Sequence, residues 1–260
     1  MPYKYKFFAY SNPKKRGDIN NECYYINNST SLSGGKASFC TDTITCRDKK
    51  QFASVINAAS NCDGIERTFT YNAMKAEPNR DRMKVIYFLK SLMNDIRNSD
   101  VYSREFSGSI ASVLYCEGKN VYAAGIGTPN IYHYSSADSI VRKIVFPKSY
   151  KSENAASGSD GVKTHVKFIG RANSGDEYLI VGNDVENVLG GDVIVKIFAS
   201  GSSDLNEQLL FNVDKRNPHA SVTFIHAVIK NSYLIYVKVL LIIALIAGGI
   251  LFLFPDLLFL

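Results

Sequence analysis

Residues 107–127 read Ser-Gly-Ser-Ile-Ala-Ser-Val-Leu-Tyr-Cys-Glu-Gly-Lys-Asn-Val-Tyr-Ala-Ala-Gly-Ile-Gly. Ile110 to Tyr115 and Val121 to Ala124 are runs of β-branched, aromatic and small apolar residues, bounded by Ser, Asn and Gly. Runs of that kind between turn formers predict strands. Working outward, the same signature recurs at Lys163 to Ile169, Tyr178 to Val181 and Ser221 to Ile229. Two stretches carry a helical reading instead. One is Asp48 to Ser60. The other, Asp81 to Asn98, sets Met83, Ile86, Leu89, Met93 and Ile96 on one stripe with charges opposite. Ser149 to Gly161, rich in Ser, Asn and Gly, reads as a loop. Strands with a few long helices interposed predict an α+β domain.

A chain of 260 residues fits one large domain or two small ones and is long enough to bury a core. With 46% hydrophobic and 21% charged residues it is neither a disordered nor a collagen-like chain. The net charge of +6 is spread too thinly for a nucleic-acid arm, so no nucleic acid is expected as a partner, whereas an anionic membrane surface suits it. The five cysteines, Cys23, Cys40, Cys46, Cys62 and Cys116, show neither C-x-x-C nor a Cys/His pairing at zinc-finger spacing. That argues against a closed zinc site and for reduced, mostly buried thiols in a reducing compartment. Met1 to Phe8 lack the apolar stretch of a secretory signal, which places the N-terminus in the cytoplasm.

Residues 233–254 read YLIYVKVLLIIALIAGGILFLF, with Lys238 as the one charge. As a helix this run would extend about 33 Å, matching a hydrocarbon core of about 30 Å, and it is apolar on every face. It is expected to be a transmembrane helix. Lys230 and Lys238 flank its start while Asp256 follows it, so the preceding domain is expected on the cytoplasmic side of the membrane. The expected organisation is a domain over residues 1–230, a linker at 231–232, the span at 233–254 and a tail at 255–260. Ala244 and Gly248, with Gly249, form a small-xxx-small face on which a second helix can pack.

The order of the pieces in the first 230 residues resembles the PP2C-type, metal-dependent serine/threonine phosphatases. Ile19-Asn20-Asn21-Glu22-Cys23 stands where that family has N-N-E-D. Ser33-Gly34-Gly35-Lys36-Ala37 resembles the end of its D-G-x-G-G turn and the helix that follows. Ser107 to Ala111 matches G-S/T-T-A, and Val121 to Gly127 matches the strand that normally ends in D-S-R. Gly175 to Asn183 occupies the place of G-D-x-L-L-L-x-S-D, with Val185 to Leu189 following as G-L-x-D-V-L does. Ala220 to Ile225 stands at D-N-I-T-V-I. The resemblance implies an α-β-β-α sandwich, two antiparallel sheets flanked by helices.

It also implies a site built around two Mg²⁺ or Mn²⁺ ions, which require oxygen ligands and carboxylate charge. The positions that would supply those carboxylates are Cys23 (beside Glu22), Ser31, Thr128, Asn183 (beside Asp184) and Ala220 (followed by Ser221). All five are neutral. The position of the family's phosphate-binding arginine is Asp18, with Arg16 two residues away. An anion there repels a phosphate. No dinuclear centre, no cofactor and no catalysis are therefore expected. Nor does another constellation replace them: His133, His165, His219 and His226 are scattered, no nucleophile elbow or phosphate loop is present, and Cys23 has no activating neighbour in sequence.

The expected function is that of a pseudophosphatase, a scaffold or regulatory module at the cytoplasmic face of a membrane, with a membrane protein complex or a membrane-associated kinase as partner. A bacterial inner membrane is the expected setting. The rival enzyme reading is a phosphatase with a metal site rebuilt from Glu22, Asp18 and Asp184. The rival structural reading is a subunit of a membrane complex that binds no phosphoprotein.

Overall fold

The computed structural model of the protein describes residues 3–12, 22–26, 29–30, 38–45, 50–57, 81–98, 109–146, 163–201, 204–231, 237 and 240–246. The strands are β1 (Tyr3–Asn12), β2 (Glu22–Ile26), β3 (Ser29–Thr30), β4 (Ser38–Thr45), β5 (Lys50–Asn57), β6 (Ser109–Glu117), β7 (Asn120–Gly127), β8 (Ile131–Ser135), β9 (Ile140–Lys143), β10 (Thr164–Arg171), β11 (Glu177–Val181) and β12 (Val222–Asn231). The helices are α1 (Arg82–Asn98), α2 (Asn183–Leu189), α3 (Gly191–Ala199) and α4 (Leu205–Arg216). The strands form two six-stranded sheets, ordered β4-β1-β12-β11-β8-β9 and β10-β7-β6-β5-β2-β3. Every pairing is antiparallel.

The sheets pack face to face, and each carries helices on its outer side. Between them lie Tyr5, Phe7, Tyr24, Val55, Leu114, Val121, Tyr178, Ile180, Ile225 and Ile229. Beneath α1, the outer face of the second sheet contributes Tyr25, Phe52, Val113, Tyr115 and Tyr122 to a second cluster. Beneath α2, α3 and α4, the first sheet contributes Tyr132, Leu179, Val181, Val222 and Phe224 to a third. Covering both faces explains why these strands read as nearly continuous apolar runs rather than as alternating ones. Along β7, Val121 and Ala123 enter the inter-sheet core while Tyr122, Ala124 and Ile126 face α1. This is the expected α-β-β-α sandwich.

Three expectations are corrected. Asp48 to Ser60 is not a helix, since Lys50–Asn57 is a central strand between β2 and β6. Its short apolar run satisfies either period, and placement between two partners selects the strand. The helix implied after Gly35 is likewise not seen over residues 38–45, which form β4 beside β1. On α1 the buried stripe is Val85, Leu89, Leu92, Met93 and Ile96, whereas Met83 is 53% exposed.

Of the expected span, residues 237 and 240–246 are described and are helical, and the apolar side chains from Leu240 to Ile246 are exposed. Ala244 lies in this piece, while Gly248 and Gly249 lie outside the described residues. Among the described residues no helix is long and apolar enough to cross a membrane. The loop expected at Ser149 to Gly161 also lies outside them.

Candidate functional site

Glu22 opens β2 at the end of the sandwich where β12 begins and β11 runs into α2. Side chains alternate along a strand, so Tyr24 and Ile26 enter the inter-sheet core, while Cys23 and Tyr25 turn to the cluster under α1. Cys23 is 3% exposed and sits in that apolar cluster. Glu22 is also buried, at 5% exposure.

The Glu22 carboxyl is held by the start of α2. The Asp184 backbone N–H donates to Glu22 Oε1 at 3.1 Å. Gly182 leaves room for the carboxyl, because a Cβ there would lie 2.3 Å from Glu22 Oε2. Gly182 is itself fixed by donating its N–H to Thr223 O at 2.8 Å. Ser11 and Thr223 hydroxyls meet at 3.0 Å beside it, and Ser11 Oγ donates to the Glu22 carbonyl at 3.4 Å. Burial, and secondarily the neighbouring Asp184 carboxylate, push the Glu22 carboxyl up to about 8.

The remaining expected positions are distributed as follows. Asp184 Oδ2 accepts the Ser221 backbone N–H at 3.1 Å, which ties α2 to the start of β12. Ala220, one residue earlier, is 6% exposed and apolar. Asn183 Oδ1 accepts from Asn130 Nδ2 at 3.3 Å. Thr128 is exposed in the turn after β7. Asp18 and Ser31 lie outside the described residues. Glu22, Asn183 and Asp184 are thus brought together, Ala220 and Ser221 border them, and Cys23 faces elsewhere.

Sequence reasoning missed the continuation of this cluster. Lys143 Nζ donates to Asn130 Oδ1 at 3.1 Å and to Glu186 Oε1 at 2.7 Å. The buried Tyr132 hydroxyl donates to the other Glu186 oxygen. Burial first, and then that bond to Glu186, raise the Tyr132 phenol well above its ordinary range. Asn130 is placed by its N–H bond to Ser112 Oγ at 3.0 Å. Lys143 and Asn130 carry no local signal in the sequence, since only the pairing of β8 with β9 and the docking of α2 bring them to Glu186. The register also sets Asn57 of β5 directly opposite Glu22.

These residues do not fit a pair of divalent cations. Hard cations need several ionised oxygens converging on one point. Here the buried Glu22 carboxyl accepts a main-chain N–H, Asp184 accepts from Ser221, and Asn183 and Ala220 beside them carry no charge. Lys143 supplies the local positive charge instead. Among the described residues no three His, Cys, Asp or Glu side chains group as metal ligands.

No protein-family model and no curated protein matches this sequence. Solved structures do match its fold. The phosphatase domain of the cell-fate determinant SpoIIE from Bacillus subtilis superposes with a TM-score of 0.60 at 10% identity, covering 88% of this chain and 94% of that one. The serine/threonine phosphatase PstP of Mycobacterium tuberculosis gives 0.53 at 10% identity, covering 88% and 100%. The PstP catalytic domain solved with two manganese ions gives the same values. The S. agalactiae serine/threonine phosphatase gives 0.52 at 12%, covering 84% and 96%. The described chain has the fold of the PP2C-type bacterial serine/threonine phosphatases.

Proposed function

We propose that this PP2C-like chain is a membrane-anchored pseudophosphatase, working as a scaffold or regulatory module that binds proteins and hydrolyses no phosphoester. The observation that carries this reading is the state of Glu22. The one acidic residue kept from the first motif is buried, its carboxyl is pushed up by that burial, and it is bonded to the Asp184 main chain. In that state it contributes to the fold of the cleft rather than to ion binding. Neutral residues at Cys23, Ser31, Thr128, Asn183 and Ala220, and the anion at Asp18, support the same reading.

The apolar run at 233–254 and its basic flank support a single span with the domain at the cytoplasmic face, in a bacterial inner membrane. The partner is then a membrane protein complex or a membrane-associated kinase. One observation favours the enzyme reading: the Asp184 carboxylate lies close enough to Glu22 to push its carboxyl up.

The full chain, titrated with Mn²⁺, is expected to bind no stoichiometric ion and to hydrolyse p-nitrophenyl phosphate no faster than a metal-free control. Manganese-dependent turnover that disappears in Glu22→Gln or Asp184→Asn would establish the enzyme reading. Separately, the full chain is expected to stay with membranes through a carbonate wash. Release by carbonate or by high salt would leave the 233–254 run as a core or peripheral segment.

A further inference from the structure

The two ends of the sandwich differ in charge. Glu22, Asp184 and Thr128 mark one end; β12 finishes at Asn231 at the other. Strand register gathers cations at that second end. Lys4 of β1 stands directly opposite Lys230 of β12. In the other sheet, Lys119 lies in the turn between β6 and β7, Arg171 closes β10 opposite Asn120, and Lys50 opens β5 opposite Glu117. Ala172 N–H donates to Lys119 O at 2.7 Å, which sets Arg171 beside that turn. The Tyr5 hydroxyl donates to Gly118 O at 2.6 Å, joining the two sheets and bringing both sets of cations to one end.

Lys119, Arg171 and Lys230 are exposed. Several described carboxylates of this end bond within the fold. Asp176 is 2% exposed and accepts the N–H groups of Ser136 and Asn173. Glu177 bonds His226 at 2.7 Å, Asp138 pairs with Arg142 at 2.9 Å, and Glu117 accepts from the Tyr115 hydroxyl at 3.3 Å.

We propose that this end of the sandwich is a docking surface for the headgroups of anionic lipids. It rests on the membrane-span reading of the preceding section, because β12 reaches the 233–254 run through Ser232 alone. The apolar run and the cations then meet the same leaflet. β12 has ten residues, so the Glu22–Asp184 end is held about 30 Å from the headgroups and faces away from the bilayer. A partner reaches that end from the aqueous side.

The chain contains no tryptophan, so a single introduced one reports its own position. Ser174 lies in the turn before β11 at the basic end, and Thr128 lies at the other end; both are exposed. Full-length Ser174→Trp and Thr128→Trp chains are reconstituted into phosphatidylcholine vesicles, with and without about one third phosphatidylserine, each doped with a dansyl lipid. Energy transfer is expected to rise with phosphatidylserine for Ser174→Trp and to stay low for Thr128→Trp. Charge reversal at Lys119, Arg171 and Lys230 in the Ser174→Trp chain is expected to weaken docking by about fivefold for each cation that reaches the headgroups. Transfer independent of phosphatidylserine, or as strong from Thr128→Trp, overturns the proposal. Retention through a carbonate wash is scored separately on the same vesicles. A chain that washes off yet shows phosphatidylserine-dependent transfer loses the span and keeps the docking surface, and the converse result loses the docking surface alone.

Discussion

Replacing Glu22 by glutamine is expected to stabilise the protein at pH 8 and above, and to change little near pH 4. The folded carboxyl titrates at about 8 and its ordinary value is 4.5. Between those values the unfolded chain has released the proton while the folded chain keeps it. The folded state then binds more protons, so stability falls as pH rises from about 4.5 to about 8. Above that window the fold holds a buried carboxylate beside Asp184, at a cost on the order of 5 kcal/mol. Glutamine keeps an oxygen for the Asp184 N–H and carries no charge. Urea-unfolding midpoints of the full chain in detergent, followed from pH 4 to 9 for both proteins, are expected to diverge with rising pH. Parallel curves would mean that Glu22 titrates alike in the folded and unfolded chain, and curves that diverge in the opposite sense would mean that a cation holds it ionised.

The second large effect lies at the turn that delivers Asn130. Gly125 of β7 sits opposite Ser112 on one side and His165 on the other, so neither flanking strand can move aside. A Cβ at Gly125 would stand 2.3 Å from Pro129 Cγ and 2.5 Å from Ala111 O. Gly125→Ala is expected to cost about 3 kcal/mol, at the upper end of overpacking effects, because a ring and a main-chain oxygen yield less than a flexible side chain. Pro129 must shift, and that loosens the Asn130 N–H bond to Ser112 Oγ and the Asn130 link to Asn183. Gly118→Ala is the control. Its Cβ meets nothing within 4 Å, and its φ of +59 costs about 1 kcal/mol in the left-handed region. Equal losses of unfolding midpoint from the two substitutions would mean that Pro129 adapts freely and that the turn does not constrain the cluster.

Much of the fold is legible in the chain because local pattern and burial agree. The apolar runs at 110–115, 121–124, 178–181 and 221–229 are strands, and the charged and apolar periodicity of 81–98 is a helix. Residues 50–57 were misread because a run of five apolar or small residues has no period of its own. The stripe on α1 was misplaced at Met83 because the sheet it packs on, and not the helix, decides which side is inside.

The site divides in the same way. The chain's own residues show that Cys23, Thr128, Asn183 and Ala220 carry no carboxylate, since the identity of a residue needs no geometry. That the Glu22 carboxyl is pushed up could come only from the tertiary structure: its cause is burial beside Gly182, Asp184 and Thr223, all at least 160 residues away along the chain. The same holds for Lys143, Asn130 and Glu186, and for the basic end of the sandwich. Each joins residues that are remote in sequence and become neighbours only through strand register and helix docking. An electrostatic environment is a sum over spatial neighbours, and a linear chain does not contain that sum until it folds.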